Sequence, residues 1–311
     1  MAMVRVKRKR EEKMEEIKKV GILGCGAMGS GIAQVTAMAG YLTVVREPEG
    51  GLLQKGLSRI QKGLEKAVEK GKLEGAAKEQ ALSRLMGTVS LEEMGDCQLI
   101  IEALPEDLDL KKEHFQELDV LCPPPTILAS NTSSLTITEL AACTKRPGQV
   151  IGLHFFNPAP VMELVEIVKT SLTTRATLDS VQAFVRSLGK TSILAKDRPG
   201  FVVNRLLVPY LLDAIRSLED GLASTEEIDK GMRLGCGHPM GPLALSDFIG
   251  LDILLHIGET MFGEYRERRF APPPLLRRMV IAGWLGKKSG RGFYDYRGSE
   301  PRPVSLDLAE D

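Results

Sequence analysis

The chain has 311 residues, a length that predicts about two domains. Its apolar fraction of 43% is large enough for a buried core and excludes an intrinsically disordered chain. Aromatic residues make up 5%, and 41 basic residues balance 41 acidic ones, so the composition supplies neither the stacking platforms nor the positive charge typical of a nucleic-acid-binding protein.

The first 16 residues are charged and show no helical or strand periodicity. A basic run at positions 7–10 is followed by four acidic residues within the next six positions. We therefore expect a solvated, disordered extension rather than a nuclear-targeting or nucleic-acid-binding arm. The segment also lacks the apolar stretch of a secretory signal.

The longest uncharged run, residues 120–138, contains three consecutive prolines and many hydroxyl side chains, so it does not predict a membrane span. The five cysteines show neither CxxC spacing nor clustering with histidine. This pattern argues against a disulfide framework and a zinc site, and it predicts reduced thiols with no bound metal. We expect a cytoplasmic protein without a membrane partner.

Short apolar runs alternate with helical patterns through the first half of the chain, as in βαβ units around a parallel sheet. Strands are predicted at residues 20–23, 41–45, 98–102, 126–129 and 150–154. Helices are predicted at residues 30–35, at 53–85 as a polar-faced pair, at 109–121 and at 135–143. We therefore predict a doubly wound α/β domain over residues 17–196.

The pattern changes at residues 197–200, where Asp-Arg-Pro-Gly forms a turn-like break. Beyond it strand signals are nearly absent, and helical periods cover residues 201–218, 225–234 and 243–256. Ser224 is a predicted N-cap for the second of these helices. We predict an all-helical second domain over residues 197–297, followed by a tail over residues 298–311.

A glycine-rich loop follows the first predicted strand and opens the first predicted helix. Its sequence, GCGAMG, fits the GxGxxG pattern, in which glycines allow a tight turn, close approach of a pyrophosphate and close helix–strand packing. The predicted cofactor-binding residues of the loop are Gly24, Gly26, Ala27, Met28 and Gly29. The context favours a Rossmann-like dinucleotide-binding domain over a simple glycine-rich turn.

Glu47 stands at the end of the second predicted strand, 18 residues after the last glycine of the loop. An acid at this position accepts hydrogen bonds from the adenosine ribose, and its carboxylate repels a 2′-phosphate. We therefore predict NAD as the cofactor rather than NADP. Arg46 keeps NADP open as the less favoured alternative, because a guanidinium beside the site can pair with that phosphate.

His154 ends a predicted strand at the edge of the sheet where ligand sites of α/β folds form. If residues 157–161 reverse the chain symmetrically about Pro160, Glu166 lies directly opposite His154 on an antiparallel strand. Opposed Cβ atoms are ~5 Å apart, close enough for an imidazole–carboxylate hydrogen bond. The spacing predicts either a His154/Glu166 acid–base pair or a hairpin in which the two side chains are only structurally paired.

Two further polar features stand out from their surroundings. Residues 130–134, Ser-Asn-Thr-Ser-Ser, place hydroxyl and amide groups after a strand, where they can orient a polar ligand or cap a helix that starts near Leu135, with Glu139 in its first turn. Asn204 lies within an otherwise apolar helical pattern, where a buried, unpaired amide would cost stability. We expect Asn204 to have a functional or networked partner.

Matching segments through nearly the whole chain resemble the L-3-hydroxyacyl-CoA dehydrogenase family, most closely its bacterial 3-hydroxybutyryl-CoA members. The segments stand in order at residues 20–34, 101–106, 129–135, 152–158, 164–166, 198–205, 237–243 and 286–294. The resemblance implies NAD-dependent, reversible oxidation of a short-chain (S)-3-hydroxyacyl-CoA to the 3-ketoacyl thioester, and a homodimer built through the helical domain. The apolar run at residues 206–212 suits either that interface or the core.

The resemblance also implies site residues. His154 is the general base with Glu166 as its partner, Ser133 binds the substrate hydroxyl and the nicotinamide end of the cofactor, and Asn204 holds the substrate near its thioester carbonyl. Further cofactor-lining positions are Glu106, Lys111, Asn157 and Lys288, and Lys70 matches a lysine that meets the CoA phosphates.

The chain departs from the family pattern at three positions. Glu47 replaces the more usual aspartate, Gly63 replaces a serine that contacts CoA in some members, and Asp107 replaces a frequent asparagine. Two other functions compete with the leading one: a sugar-acid dehydrogenase such as L-gulonate 3-dehydrogenase, and a catalytically silent nucleotide-binding or crystallin-like protein. The intact segment 155–158 and Met162 argue against the first, and the intact candidate catalytic residues argue against the second.

Overall fold

A computed structural model describes residues 16–304 of the protein. The described residues form two compact units that divide between Asp197 and Arg198. The basic run at residues 7–10 and the end of the predicted tail, residues 305–311, lie outside the described residues. Between residues 16 and 304, no helix has the length and apolar character needed to cross a membrane.

The first unit is a single eight-stranded sheet with helices on both faces, which confirms the predicted doubly wound α/β fold. The strands are β1 (Lys19–Leu23), β2 (Leu42–Arg46), β3 (Leu85–Thr88), β4 (Leu99–Glu102), β5 (Ile127–Ser130), β6 (Val150–Phe155), β7 (Leu164–Lys169) and β8 (Thr191–Lys196). The helices are α1 (Ala27–Met38), α2 (Gly50–Glu69), α3 (Gly75–Ser83), α4 (Leu108–Leu121), α5 (Ile137–Ala142) and α6 (Arg175–Ser187).

The strand order is β3-β2-β1-β4-β5-β6-β7-β8, and every pairing is parallel except that of β6 with β7. The chain order reverses on either side of β1, because β1 pairs with both β2 and β4. Ligands of doubly wound sheets bind at the carboxyl ends of the strands beside such a reversal. The glycine-rich loop after β1 lies at this position.

The central strands are buried along nearly their whole length, since helices cover both faces of the sheet. Their continuous apolar runs made them predictable. The edge strands β3 and β8 are exposed or half-buried along nearly their whole length and were missed, and Leu85, assigned to the helical pair, begins β3.

The second unit is helical, with one small hairpin that was not predicted. Its helices are α7 (Val203–Glu219), α8 (Thr225–Cys236), α9 (Pro242–Ile249), α10 (Leu251–Tyr265) and α11 (Pro274–Ile281), and β9 (Tyr294–Asp295) pairs antiparallel with β10 (Arg302–Pro303). Ser224 caps α8 in a capping box with Glu227, as predicted. The single helix predicted at 243–256 is wrong, because Gly250, with φ of +105°, separates α9 from α10.

Two buried aspartates fix the second unit. Asp229 accepts hydrogen bonds from the amides of Leu243 and Ala244 at the start of α9. Asp247 accepts from the amides of Phe293 and Tyr294, which anchors the segment leading into the hairpin. Burial raises the pKa of Asp247 to about 6, even though these amide donors favour its charged form.

Candidate active site

The glycine-rich loop leaves its backbone open at one point and is tightly packed at two others. A Cβ on Gly24, whose φ is +99°, would lie 2.7 Å from the carbonyl oxygen of Ala103, and a Cβ on Gly29 would lie 1.9 Å from that of Gly24. A Cβ on Gly26 would meet no atom of the described chain within 4 Å. Gly26 is also the N-cap of α1 and offers no side chain to its first-turn amides. The loop therefore fits a pyrophosphate, with helix amides as donors.

Glu47 lies directly beside this loop. It follows β2, and its Oε2 accepts a hydrogen bond from the amide of Cys25 at 3.1 Å. The carboxylate predicted to bind the adenosine ribose is thus hydrogen-bonded to the loop predicted to bind the dinucleotide. Ala27 and Met28 are the first two residues of α1.

His154 and Glu166 are paired in the register that the sequence predicts. They are Cα partners across β6 and β7, and His154 Nδ1 lies 2.7 Å from Glu166 Oε2. His154 is 6% exposed and Glu166 is fully buried. Because an ionised carboxylate can only accept, Nδ1 carries the proton in this hydrogen bond, and the ring is held in one tautomer.

A lysine that was not predicted from the sequence fixes the turn between β6 and β7. Lys190 Nζ donates to the carbonyl oxygens of Ala159 and Met162, both at 2.7 Å. Burial lowers the pKa of this ammonium. Gly31 of α1 packs against the same turn, since a Cβ there would lie 3.2 Å from Ala159. The helix that follows the glycine loop thereby supports the hairpin that carries His154. Asn157 lies exposed at the start of this turn.

Glu106 organises the hydroxyl-rich loop after β5. Its Oε1 accepts from the amides of Ser133 at 3.1 Å and Ser134 at 3.2 Å, and from the hydroxyls of Thr132 and Ser134. Burial raises the pKa of the Glu106 carboxyl, but the Lys111 ammonium and these donors outweigh burial and hold it below its ordinary value. The loop is therefore held by a charged acceptor.

Capping of α5 is not the role of this loop. The amides of Ile137 and Thr138, which begin the helix, donate to the carboxylate of Asp197 at 2.9 and 2.7 Å. Thr132 instead accepts from the amide of Leu135 within the loop itself.

Lys111 is buried beneath the same loop and is 1% exposed. Its Nζ lies 2.5 Å from Glu102 Oε1 and 3.4 Å from Glu106 Oε2. Glu102 in turn accepts from the hydroxyl of Ser130 at 2.6 Å. Lys111 thus contacts the loop through Glu106 rather than facing open space.

The remaining predicted residues belong to other elements of the two units. Lys70 is the exposed C-cap of α2 in the first unit. In the second unit, Asn204 is half-buried in the first turn of α7, since that helix begins at Val203 rather than at Phe201. Lys288 Nζ pairs with Asp252 Oδ1 at 2.5 Å. The five cysteines are free, and residues 16–304 contain no cluster of three or more metal-ligating side chains.

Comparison with known proteins gives consistent matches. Residues 19–198 match the family described as 3-hydroxyacyl-CoA dehydrogenase, NAD binding domain, and residues 200–296 match 3-hydroxyacyl-CoA dehydrogenase, C-terminal domain. The chain is 52% identical to the 3-hydroxybutyryl-CoA dehydrogenase of Mycobacterium tuberculosis, over 91% of this chain and 99% of that protein. It is 47% identical to the 3-hydroxybutyryl-CoA dehydrogenase of Clostridioides difficile, over 89% and 99%. The solved (S)-3-hydroxybutyryl-CoA dehydrogenase of Ralstonia eutropha matches with a TM-score of 0.87 and 45% identity, over 91% and 100%.

Proposed function

Since the chain belongs to the 3-hydroxyacyl-CoA dehydrogenase family and is an NAD-dependent oxidoreductase, we propose that it interconverts short-chain (S)-3-hydroxyacyl-CoA and 3-ketoacyl-CoA thioesters, with 3-hydroxybutyryl-CoA as the representative substrate. The observation that carries this proposal is the buried His154–Glu166 pair. The relatives named for 3-hydroxybutyryl-CoA support the choice of substrate.

In the oxidative direction, His154 takes the proton of the C3 hydroxyl. Its Nδ1 is committed to Glu166, so the proton is taken up at Nε2. The buried carboxylate stabilises the imidazolium that forms. Bound NAD supplies the acceptor for the hydride that leaves C3. In the reductive direction the protonated His154 returns the proton to the alkoxide oxygen.

The hydroxyl loop positions the reacting end of the substrate. We assign Ser133 to the substrate hydroxyl and the nicotinamide end of the cofactor because it matches the family position with that role, and Glu106 fixes the Ser133 amide at 3.1 Å. Glu106 and Asn157 line the cofactor, and Lys111 supports Glu106 from beneath. In this proposal Asn204 and Lys288 of the second unit contact the thioester carbonyl and the cofactor, and Lys70 contacts the CoA phosphates.

Glu47 selects NAD over NADP. Its carboxylate is held at the glycine loop, where it can accept from both ribose hydroxyls and where a 2′-phosphate would be repelled.

The direct test is to follow NADH consumption by the purified protein with acetoacetyl-CoA, and to repeat the assay with NADPH. We expect turnover with NADH and much slower turnover with NADPH. L-gulonate with NAD serves as the control for the sugar-acid alternative and should give no NADH. No turnover of acetoacetyl-CoA with either cofactor, by protein that binds NADH, would overturn the proposal.

We also propose a homodimer, on the strength of the family membership. In the apolar run at residues 206–212, Val208, Leu211 and Leu212 are buried in the core of the second unit, and Leu206 is 71% exposed. The run therefore belongs mainly to the core, and only Leu206 within it is well placed for an interface. Light scattering of the protein as it elutes from a size-exclusion column measures the mass of the assembly, which should be twice that of one chain.

A further inference from the structure

Arg59 reaches the glycine loop from α2, although it belongs to neither the loop motif nor the residues assigned above. Its Nη1 donates to the carbonyl oxygen of Cys25 at 3.3 Å and to the hydroxyl of Ser30 at 3.2 Å. The helix is seated directly on the loop, because a Cβ on Gly56 would lie 2.1 Å from the Cys25 sulfur. Close packing of α2 thus delivers an exposed guanidinium to the first turn of α1.

The charge of Arg59 is poorly matched to this place in the protein alone. The N-terminus of a helix carries a partial positive charge, which disfavours a cation and favours an anion. Within residues 16–304, no carboxylate lies within ion-pair distance of the Arg59 guanidinium. Its Nη2 and Nε also make no hydrogen bond in the described part of the chain, which leaves donors for a ligand.

Glu47 supplies a reason for a cation at this loop. Its carboxylate contacts the amide of Cys25, on the residue whose carbonyl oxygen accepts from Arg59. Burial and, to a smaller extent, the Glu47 carboxylate raise the pKa of the Cys25 thiol to about 11 against the lowering effect of Arg59, so both charges act on the same residue. A negatively charged pyrophosphate on the loop would be repelled by Glu47, and the loop sequence GCGAMG contains no basic side chain of its own.

We propose that Arg59 is a further cofactor-binding residue, which donates to the pyrophosphate of NAD and offsets the repulsion between that pyrophosphate and Glu47. This inference rests on the cofactor site of the proposed function. It concerns the binding of the dinucleotide and not the proton transfer at His154.

The test compares Arg59→Gln with the matched variant Lys62→Gln. Lys62 is exposed on the next turn of α2 and makes no hydrogen bond to the glycine loop in the described chain. Dissociation constants for NADH are measured by fluorescence titration without acyl-CoA. We expect Arg59→Gln to weaken NADH binding by about 5- to 20-fold, with Lys62→Gln within about twofold of the unmodified protein. The dissociation constant of Arg59→Lys should lie between those of the other two variants. NADH binding by Arg59→Gln should depend less on salt concentration than binding by the unmodified protein.

Thermal unfolding of the NAD-free protein separates binding from folding. Removal of a cation beside a helix N-terminus should leave the Tm of Arg59→Gln unchanged or slightly higher. Unchanged NADH affinity in Arg59→Gln would overturn the inference. So would a loss of affinity confined to NADPH, which would indicate that Arg59 contacts a 2′-phosphate, or a loss of affinity confined to coenzyme A. If Arg59→Gln weakens NADH binding but the unmodified protein does not turn over acetoacetyl-CoA, the proposed function fails and the role of Arg59 stands. If the unmodified protein does not bind NADH, both fail.

Discussion

Glu166→Gln isolates the negative charge that faces His154, because glutamine keeps the size of the side chain and one acceptor oxygen. The Nδ1–Oε2 distance is 2.7 Å, and both residues are buried. A hydrogen bond to a charged group contributes ~1.5–3 kcal/mol and a neutral one ~0.5–1.5 kcal/mol. Since His154 becomes positively charged as it takes the proton, the variant should lose about 1–2 kcal/mol of transition-state stabilisation. That loss corresponds to a kcat about 5- to 30-fold lower.

The assay measures kcat with saturating (S)-3-hydroxybutyryl-CoA and NAD, the direction in which His154 takes up the proton, together with the dissociation constant of NADH alone. NADH affinity should not change, since Glu166 contacts His154 and is remote in sequence from the glycine loop. Glu163→Gln is the matched control, because it removes an exposed carboxylate just before β7 and should leave kcat unaltered. A Glu166→Gln enzyme with the kcat of the unmodified protein would show that the carboxylate charge plays no part in proton transfer.

Three further predictions follow from individual contacts. Because the folded-state pKa of Asp247 is raised to about 6 from an ordinary 3.8, its contribution to the free energy of unfolding is full below about pH 4 and is lost as the pH rises through about 6. Denaturant titrations should therefore show that the free energy of unfolding of the unmodified protein, relative to that of Asp247→Asn, falls by up to about 3 kcal/mol between pH 4 and 7. A difference between the two proteins that does not change with pH would contradict this prediction. Glu47→Gln should narrow the preference for NADH over NADPH by about tenfold, measured as a ratio of dissociation constants; an unaltered ratio would argue against charge repulsion. Gly24→Ala should abolish measurable NADH binding and lower the Tm, because its Cβ would collide with the backbone of Ala103, whereas Gly40→Ala, with a similar φ but no close neighbour, should lower the Tm without affecting binding.

The sequence predicted the features that depend on local periodicity. The alternation of faces along a strand, combined with a turn symmetric about Pro160, placed Glu166 opposite His154, and the pair is found in that register. The glycine loop and Glu47 were predictable because a tight turn, a helix start and an acid follow one another at short range. The central strands were predictable because burial on both faces leaves a continuous apolar run.

The features that sequence reasoning missed depend on contacts between distant residues or on exposed elements. Asp197 caps α5 across about 60 positions, and Lys190 holds the turn after β6 across about 30, so no spacing rule indicates either. Arg59 meets the glycine loop only because α2 packs against it. Strands β3 and β8 lie at the sheet edges, where exposed side chains interrupt the apolar pattern. Gly250 ends α9 through its positive φ, which the continuous apolar pattern around it does not indicate.

His154→Gln tests the central assignment most directly, when hydride transfer is measured in a single turnover by protein already loaded with NADH. Glutamine cannot exchange a proton at the position of Nε2, so the rate of the chemical step should fall by about 10²–10⁴-fold while the affinity for NADH stays the same. A variant that transfers hydride at the rate of the unmodified protein would exclude His154 as the group that moves the proton.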